Sequence, residues 1–179
     1  MSQCALAVSG PQTGPWFSAR FRRQLHAYRA ALSLEWSDST VHPDFMSDAD
    51  RPASAGQCGA TSAWLLHELP WILRVRARYC VGDIVVGEKT LPFHCWIEIG
   101  SSAERWVVDV TCDQFESLAD REFVCERHCR LSSLGIEYQA VLRLSARQLR
   151  SDPVWERAQL LAARMTRWFG RGHWIRRLR

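Results

Sequence analysis

Three side chains of the sequence, Cys58, His94 and Asp109, are of the types that nucleophilic catalysis by a thiol requires. A thiolate can attack a carbonyl carbon, while a histidine takes the thiol proton and later returns it to the leaving group. A carboxylate can orient the histidine ring. Each residue alone is ordinary, because a single cysteine is usually a small buried apolar residue. Their order in the chain and the elements predicted around them make the combination informative.

Cys58 is predicted to begin a buried helix. It follows Gly56 and Gln57, and the apolar run that begins after Gly59 ends at Pro70. The N-terminus of a helix carries partial positive charge and unpaired N–H groups, and both stabilise a thiolate. We expect the N–H of Cys58 and the side-chain amide of Gln57 to form an oxyanion hole. Glycine at position 59 would let the backbone approach a substrate.

His94 and Asp109 are predicted to lie side by side in an antiparallel hairpin. Residues 93–99 and 105–110 both have strand-like sequences, and a Gly-Ser-Ser segment separates them. Counted from that turn, both residues fall near the strand ends that lie away from it. Asp109 could then accept from one ring nitrogen and leave the other for Cys58. Alternation in the first strand puts Trp96 on the face of His94, where it could line the site or pack in the core.

Thr111 and Gln114, just after Asp109, could brace its loop through side-chain hydrogen bonds. We expect no cofactor and no metal in this site. The one metal-like cluster is formed by Cys125, His128 and Cys129, with Cys112 nearby. These residues could share a face if 125–130 is helical, although only one compact half of a zinc site is present.

The remaining pattern predicts an α+β fold, with helices first and an antiparallel sheet after them. Long stretches between the motifs have clear helical, strand or loop character. The predicted elements are a flexible leader at 1–15, a helix at about 15–34, a loop at 37–56, strands at 72–79, 83–86 and 136–144, and a helix from Ser151. The segment 83–86 could continue the strand before it or form a second one. We place a catalytic domain at 16–150 and a basic amphipathic helix at 151–179.

Composition narrows the classes of function. The chain has 179 residues, 47% of them apolar, and a net charge of +4. No concentrated basic stripe is present, so nucleic acid is not the favoured partner. We expect the amphipathic helix at 151–179 to pack on its own domain, with contact to a membrane surface, RNA or an acidic partner as the alternative. The start of the sequence lacks a secretory pattern and the seven cysteines form no regular framework, which predicts a reduced, cytoplasmic protein.

The segments GQCGATSAWLL, HCWIEI and WVVDVTCDQF together resemble the papain-like and transglutaminase-like superfamily. Within it they are similar to small bacterial YunG-type proteins and to toxin-type glutamine deamidase domains. The resemblance covers about residues 54–116. It implies Cys58 as nucleophile, His94 as base and Asp109 as orienting residue, on a nucleophile helix packed against an antiparallel sheet.

The resemblance also implies a class of reaction. We expect thiol-dependent acyl transfer by an amidase, glutamine deamidase or peptidase acting on a protein or peptide. Transfer to an amine, as in a transglutaminase, is an alternative with the same first step. A catalytically silent module that binds through its basic C-terminal helix is the alternative from another class of function. The sequence does not specify the oligomeric state.

Overall fold

The computed structural model describes residues 19–45, 52–101 and 104–170. Five α-helices and five β-strands lie in these ranges. The helices are α1 (Ala19–Glu35), α2 (Cys58–Glu68), α3 (Trp71–Arg74), α4 (His128–Ser133) and α5 (Val154–Phe169). The strands are β1 (Ala77–Val86), β2 (Lys89–Ile99), β3 (Trp106–Asp109), β4 (Val124–Arg127) and β5 (Ile136–Leu144). Short 3-10 turns occur at Pro43–Phe45, Cys112–Gln114, Glu116–Leu118 and Gln148–Ser151.

The five strands form one antiparallel sheet in the order β4-β3-β2-β1-β5. The α+β class predicted from the sequence is therefore confirmed. Strands β1 and β5 approach closely at Gly82, where the register of both β1 ladders shifts. A Cβ at Gly82 would lie 2.1 Å from the backbone oxygen of Gln139, so only glycine fits there.

Both faces of the sheet are covered by apolar packing, so β3 and the second half of β2, from His94 to Ile99, are buried. Helices α1, α2 and α5 cover one face, and the 3-10 turns between Cys112 and Leu118, with α4, cover the other. The core on the helix-covered face includes Leu25, Tyr28, Trp64, Leu65, Tyr79, Cys95, Ile97, Val108, Val154 and Leu161. The core on the opposite face includes Cys80, Ile84, Trp96, Val107, Cys112, Phe115, Leu118, Leu131 and Tyr138. The predicted alternation along β2 agrees with this division.

The predicted strand at 72–79 is partly wrong. Residues 71–74 form the short helix α3, and the strand begins only at Ala77. Pro70 stands at the N-cap of α3, and the backbone N–H groups of Leu73 and Arg74 both bond to its carbonyl oxygen. Leu73 is the buried residue of this helix, so the apolar alternation did not mark a buried strand face. The segment 83–86 continues β1.

The metal-site hypothesis requires a helix over residues 125–130, and the structure does not form one over that whole range. Cys125 lies in β4, a strand not predicted from the sequence, and the helix α4 starts at His128. The β3–β4 ladder pairs Val108 with Cys125, whose side chain is buried in the helix-covered core. Strand β2 also begins earlier than predicted, at Lys89.

Helix α5 packs on the domain with the apolar side predicted for it. Ala158, Leu161 and Met165 are buried against the helix-covered core. Its last turn bonds to the buried carboxylate of Glu35 on α1, through Arg167 at 2.8 Å and the Trp168 indole at 2.7 Å. The predicted leader 1–15 and the basic end 171–179 lie outside the described residues. No helix in the described ranges has the length and apolar character needed to cross a membrane.

Candidate active site

Cys58 is the first residue of α2, as the sequence predicts. Gln57 occupies the N-cap with φ −90° and ψ −9° and makes no side-chain cap bond, so no side chain caps the first-turn N–H groups. These groups have no acceptor within the helix, and together with the helix dipole they favour an anion at this end. The thiol is buried except for an exposed fraction of 9%.

The helix is attached to the sheet close to this thiol. The Ser62 hydroxyl, one turn after Cys58, donates a 3.0 Å hydrogen bond to the backbone oxygen of Cys95 on β2. Both groups are buried. This bond holds the N-terminal half of α2 against the part of β2 that carries His94.

His94 and Asp109 lie side by side across the β2–β3 hairpin, as the predicted register requires. The distance between His94 Nε2 and Asp109 Oδ2 is 2.8 Å, and both side chains are almost completely buried. The last backbone-paired residues of β2 and β3 on this side are Ile97 and Val108. His94 and Asp109 therefore lie beyond the end of the β2–β3 pairing. Their contact is therefore made by side chains alone.

Asp109 accepts four hydrogen bonds from protein donors. Oδ1 accepts from the backbone N–H of Thr111 at 2.9 Å and from its hydroxyl at 3.0 Å. Oδ2 accepts from His94 and, at 3.0 Å, from the hydroxyl of Tyr138 on β5. A carboxylate has about four lone-pair sites, so this buried anion is fully satisfied. Burial alone would raise the pKa of Asp109, but the charge of His94 and these bonds hold it below its usual value.

Cys58 and His94 influence each other's ionisation. A hydrogen bond from the Cys95 thiol lowers the pKa of Cys58 most, burial opposes this, and the charge of His94 lowers the pKa further, to well below the usual value. Burial disfavours the charged form of His94, but Asp109 and Cys58 outweigh it and raise the His94 pKa to about 10. These shifts favour a thiolate–imidazolium pair near neutral pH.

The free nitrogen of His94 is the one available to the thiol. Nε2 is taken by Asp109, and Nδ1 is buried with no hydrogen-bonding partner of good geometry. The pKa values of His94 and Cys58 nevertheless respond to a side-chain hydrogen bond between them. The Cys58 side chain is therefore close to the His94 ring, and Nδ1 is the ring nitrogen left for proton transfer.

Backbone strain occurs immediately before the histidine. Phe93 has φ of +56°, the left-handed region, which costs a residue other than glycine roughly 1–2 kcal/mol. Its N–H donates to Asp83 Oδ1 at 3.3 Å, and its side chain is 81% exposed. Strain of this kind persists where the surrounding structure fixes it, and it is frequent at functional sites.

The other predicted site residues have different surroundings. The Gln57 amide donates to the backbone oxygen of Ser37 at 3.2 Å, which uses one of its two N–H groups. A Cβ at Gly59 would lie 3.0 Å from Val154 Cγ2, so the missing side chain lets α5 approach α2. A role for either residue in binding substrate stays a prediction.

Trp96 and Gln114 lie beneath or beside the site. Trp96 is fully buried in the core on the face opposite the large helices, with its ring 6.5 Å from that of His94 and nearly parallel to it. It therefore supports the histidine from within the core. The backbone N–H of Gln114 bonds to the oxygen of Thr111, while its side-chain Nε2 is buried without a partner. Thr111 braces Asp109 as predicted, whereas the Gln114 side chain makes no such bond.

Residues 19–45, 52–101 and 104–170 contain no group of three or more histidine, cysteine or carboxylate side chains placed to hold a metal ion. The candidate cluster at Cys125, His128 and Cys129 is divided between a strand and a helix, and Cys129 is exposed. Those three residues therefore do not share one helical face.

Three residues of the site were not predicted from the sequence: Tyr138, Cys95 and Tyr79. Tyr138 stands at an inward position of a correctly predicted strand, which was the available signal.

Comparison of the chain with protein-family models, with curated proteins and with solved structures gave no match.

Proposed function

We propose that this protein is a thiol-dependent acyl-transfer enzyme in which Cys58, His94 and Asp109 form a catalytic triad. The observation that carries the proposal is the buried His94 ring, bonded through Nε2 to a fully satisfied carboxylate. Such a contact fixes the ring tautomer and leaves Nδ1 for the thiol. A histidine with a purely structural role would not require a thiol of lowered pKa beside its second nitrogen, whereas a catalytic base would.

The reaction follows from these positions. The Cys58 thiolate attacks the carbonyl carbon of an amide, and the resulting oxyanion is stabilised by N–H groups at the start of α2. The proton on His94 Nδ1 moves to the leaving nitrogen as the C–N bond breaks, which leaves a thioester on Cys58. His94 then removes a proton from water, the hydroxide adds to the thioester, and the acid departs as the thiolate is restored. Asp109 keeps its charge throughout and stabilises the imidazolium.

The arrangement of elements supports a papain-like or transglutaminase-like core as the finer description of the fold. The nucleophile begins a helix packed on an antiparallel sheet, and the base and the orienting carboxylate come from neighbouring strands of that sheet. By the resemblance of residues 54–116, the substrate we propose is an amide of a protein or peptide. Glutamine deamidation and peptide hydrolysis are the two hydrolytic versions, and an amine acceptor would make the enzyme a transferase.

The binding-module alternative gains no support from the contacts of α5. Its apolar side is already buried against the domain, and Arg167 and Trp168 bond to Glu35 on α1. The described part of the C-terminal segment therefore stabilises the domain. Most of the apolar side of this helix is therefore used within the domain, although Leu160 remains half-exposed.

Acylation by an activated ester tests the proposal. The protein is mixed with an aryl ester of an acylated glutamine, and intact masses are followed as the phenol is released. We expect one acyl adduct per chain, mapped to Cys58, followed by slow turnover. The adduct should be absent from Cys58→Ala and unchanged in the control Cys129→Ala, because Cys129 is an exposed thiol outside the site. Adding hydroxylamine shows whether the thioester accepts an amine.

Either of two results would refute the proposal. If Cys58→Ala releases phenol with turnover at the rate of the unmodified protein, the sulfur at position 58 is not the nucleophile. An adduct confined to Cys129 would lead to the same conclusion.

A further inference from the structure

A second thiol lies within the site, on the strand that carries the histidine. The hydroxyl of Tyr79 donates a 3.1 Å hydrogen bond to Cys95 Sγ, and both side chains are buried. The two residues share a face of the sheet, because β1 and β2 pair Val81 with Cys95 and Tyr79 with Ile97. Cys95 is thereby oriented by a donor from the neighbouring strand.

Both side chains lie against the first turn of α2. The hydroxyl oxygen of Tyr79 is 3.5 Å from the position that a Cβ on Gly59 would occupy. Ser62 bonds to the backbone oxygen of Cys95, which holds this part of β2 under the helix. Tyr79 and Cys95 therefore both lie near the start of the helix, where Cys58 stands.

The direction of the hydrogen bonds follows from the ionisation of the two thiols. Contact with Cys58 raises the pKa of Cys95 most, and burial adds to the effect, while the same contact is the strongest influence lowering the pKa of Cys58. Cys95 is thus the protonated partner and donates its S–H to the Cys58 thiolate. Tyr79 donates in turn to Cys95, and burial is the main cause that raises the pKa of Tyr79 well above its usual value.

We propose that Cys95, held by Tyr79, is a positioning residue that donates a hydrogen bond to the nucleophilic sulfur of Cys58. The inference rests on the proposed function and adds to it a second hydrogen-bonding partner of the same sulfur, the Cys95 thiol. His94 supplies the opposite charge, and Cys95 supplies a neutral donor that fixes the direction of the sulfur. A second donor keeps the thiolate stable in a site that is nearly closed to water.

Other charged groups face this relay and must be considered in a pH experiment. Asp109 acts on Cys95, and Asp152 acts on Tyr79. From α5, Arg157 Nη2 is 3.8 Å from the Cβ position on Gly59. None of the substitutions below changes these three groups, so a shift in the Cys58 profile reports the relay itself.

The test is the pH dependence of Cys58 alkylation by iodoacetamide, mapped by peptide mass. We expect Cys95→Ala to move the midpoint of the profile up by about 1 pH unit, the size expected for one lost hydrogen bond to a charged group. Cys95→Ser keeps a donor and should restore most of the shift. Tyr79→Phe should give a smaller upward shift, because Cys95 remains but loses its orienting bond. Cys80→Ala, a buried thiol on the opposite face, should leave the midpoint unchanged.

The outcomes separate this inference from the proposed function. A low midpoint in the unmodified protein that neither Cys95→Ala nor Tyr79→Phe moves would overturn the relay and leave the triad in place. A midpoint in the unmodified protein like that of an ordinary thiol would overturn the proposed function as well. If Cys95→Ala does not fold, Tyr79→Phe decides: an upward shift supports the relay, and an unmoved midpoint rejects it.

Discussion

The hydroxyl of Tyr138 donates a 3.0 Å hydrogen bond to Asp109 Oδ2, the same carboxylate oxygen that binds His94 Nε2. Tyr138 lies on β5 and Asp109 on β3, so the contact crosses the buried face of the sheet beneath β1 and β2. It connects the carboxylate to the far edge strand. The aspartate is thereby fixed from two directions, by its own loop at Thr111 and by the sheet.

Removing the tyrosine donor tests how much this second fixation matters. Tyr138→Phe should lower the free energy of unfolding by about 1.5–3 kcal/mol, the usual contribution of a hydrogen bond to a charged group. The ring remains and still packs on Trp96, so loss of apolar contacts should be small. Urea unfolding at pH 7 measures the change. If the unfolding free energies of Tyr138→Phe and the unmodified protein agree within about 0.5 kcal/mol, the effect of an ordinary surface substitution, then this hydrogen bond does not stabilise the fold.

The loop side of the carboxylate offers a matched pair of substitutions. Thr111→Val removes the hydroxyl donor to Oδ1 and nearly keeps the shape of the side chain, whereas Thr111→Ser keeps the hydroxyl. We expect the valine variant to lose about 1.5–3 kcal/mol of unfolding free energy and most of its acylation rate. The serine variant should keep the rate within a few-fold. A loss confined to the serine variant, with the valine variant unaffected, would point to packing of the Thr111 methyl group and would contradict the role of the hydroxyl.

The charge of Asp109, as distinct from its shape, is tested by Asp109→Asn. The asparagine amide has a donor nitrogen and an acceptor oxygen, so it can bond to either tautomer of the His94 ring. It carries no negative charge. By analogy with triad enzymes, acylation should slow on the order of 10³–10⁴-fold. The pKa of His94, about 10 in the unmodified protein, should fall because the carboxylate is its main stabilising partner. Proton NMR of the imidazole gives this value directly, and an unchanged titration would show that the Asp109 charge does not control the ring.

The lowered pKa of Cys58 has a consequence for stability. A group whose pKa is lower in the folded protein than in the unfolded chain contributes stability above the unfolded value, about 8.5 for a thiol. That contribution is lost as the pH falls toward the folded value. The difference in unfolding free energy between the unmodified protein and Cys58→Ala should therefore shrink from pH 8.5 to pH 6, by up to about 1.4 kcal/mol per pH unit. A difference that stays constant over this range would mean that the thiol has the same pKa in both states.

The sequence predicted the parts of the site that depend on local pattern. The helix at Cys58 follows from its flanking residues, and the contact between His94 and Asp109 follows from strand alternation and a short turn. Both depend on residues close in the chain or on adjacent strands. Tyr138 could not be placed in the same way, because its approach to Asp109 requires the order of the whole sheet. The relay through Tyr79 likewise depends on the β1–β2 register.

The errors in the predicted fold have physical causes as well. Apolar residues at 72–75 suggested a strand, but Ile72 and Val75 are largely exposed and Pro70 begins a helical turn instead. Strand β4 has only four residues, and its pairing with β3 decides its conformation. Short apolar segments of this kind adopt the structure that their tertiary partners impose.

The central claim is that the sulfur of Cys58 is ionised through His94, and its alkylation rate as a function of pH tests this most directly. The rate with iodoacetamide at pH 6 should be far above that of an ordinary thiol in the unmodified protein, because only about 0.3% of a thiol of pKa 8.5 would be ionised there. In His94→Gln, the midpoint should rise by at least about one pH unit, since the charged partner is lost. If the unmodified protein instead shows a single midpoint near pH 8.5 that His94→Gln does not move, the thiol and the histidine do not act together and the account is wrong.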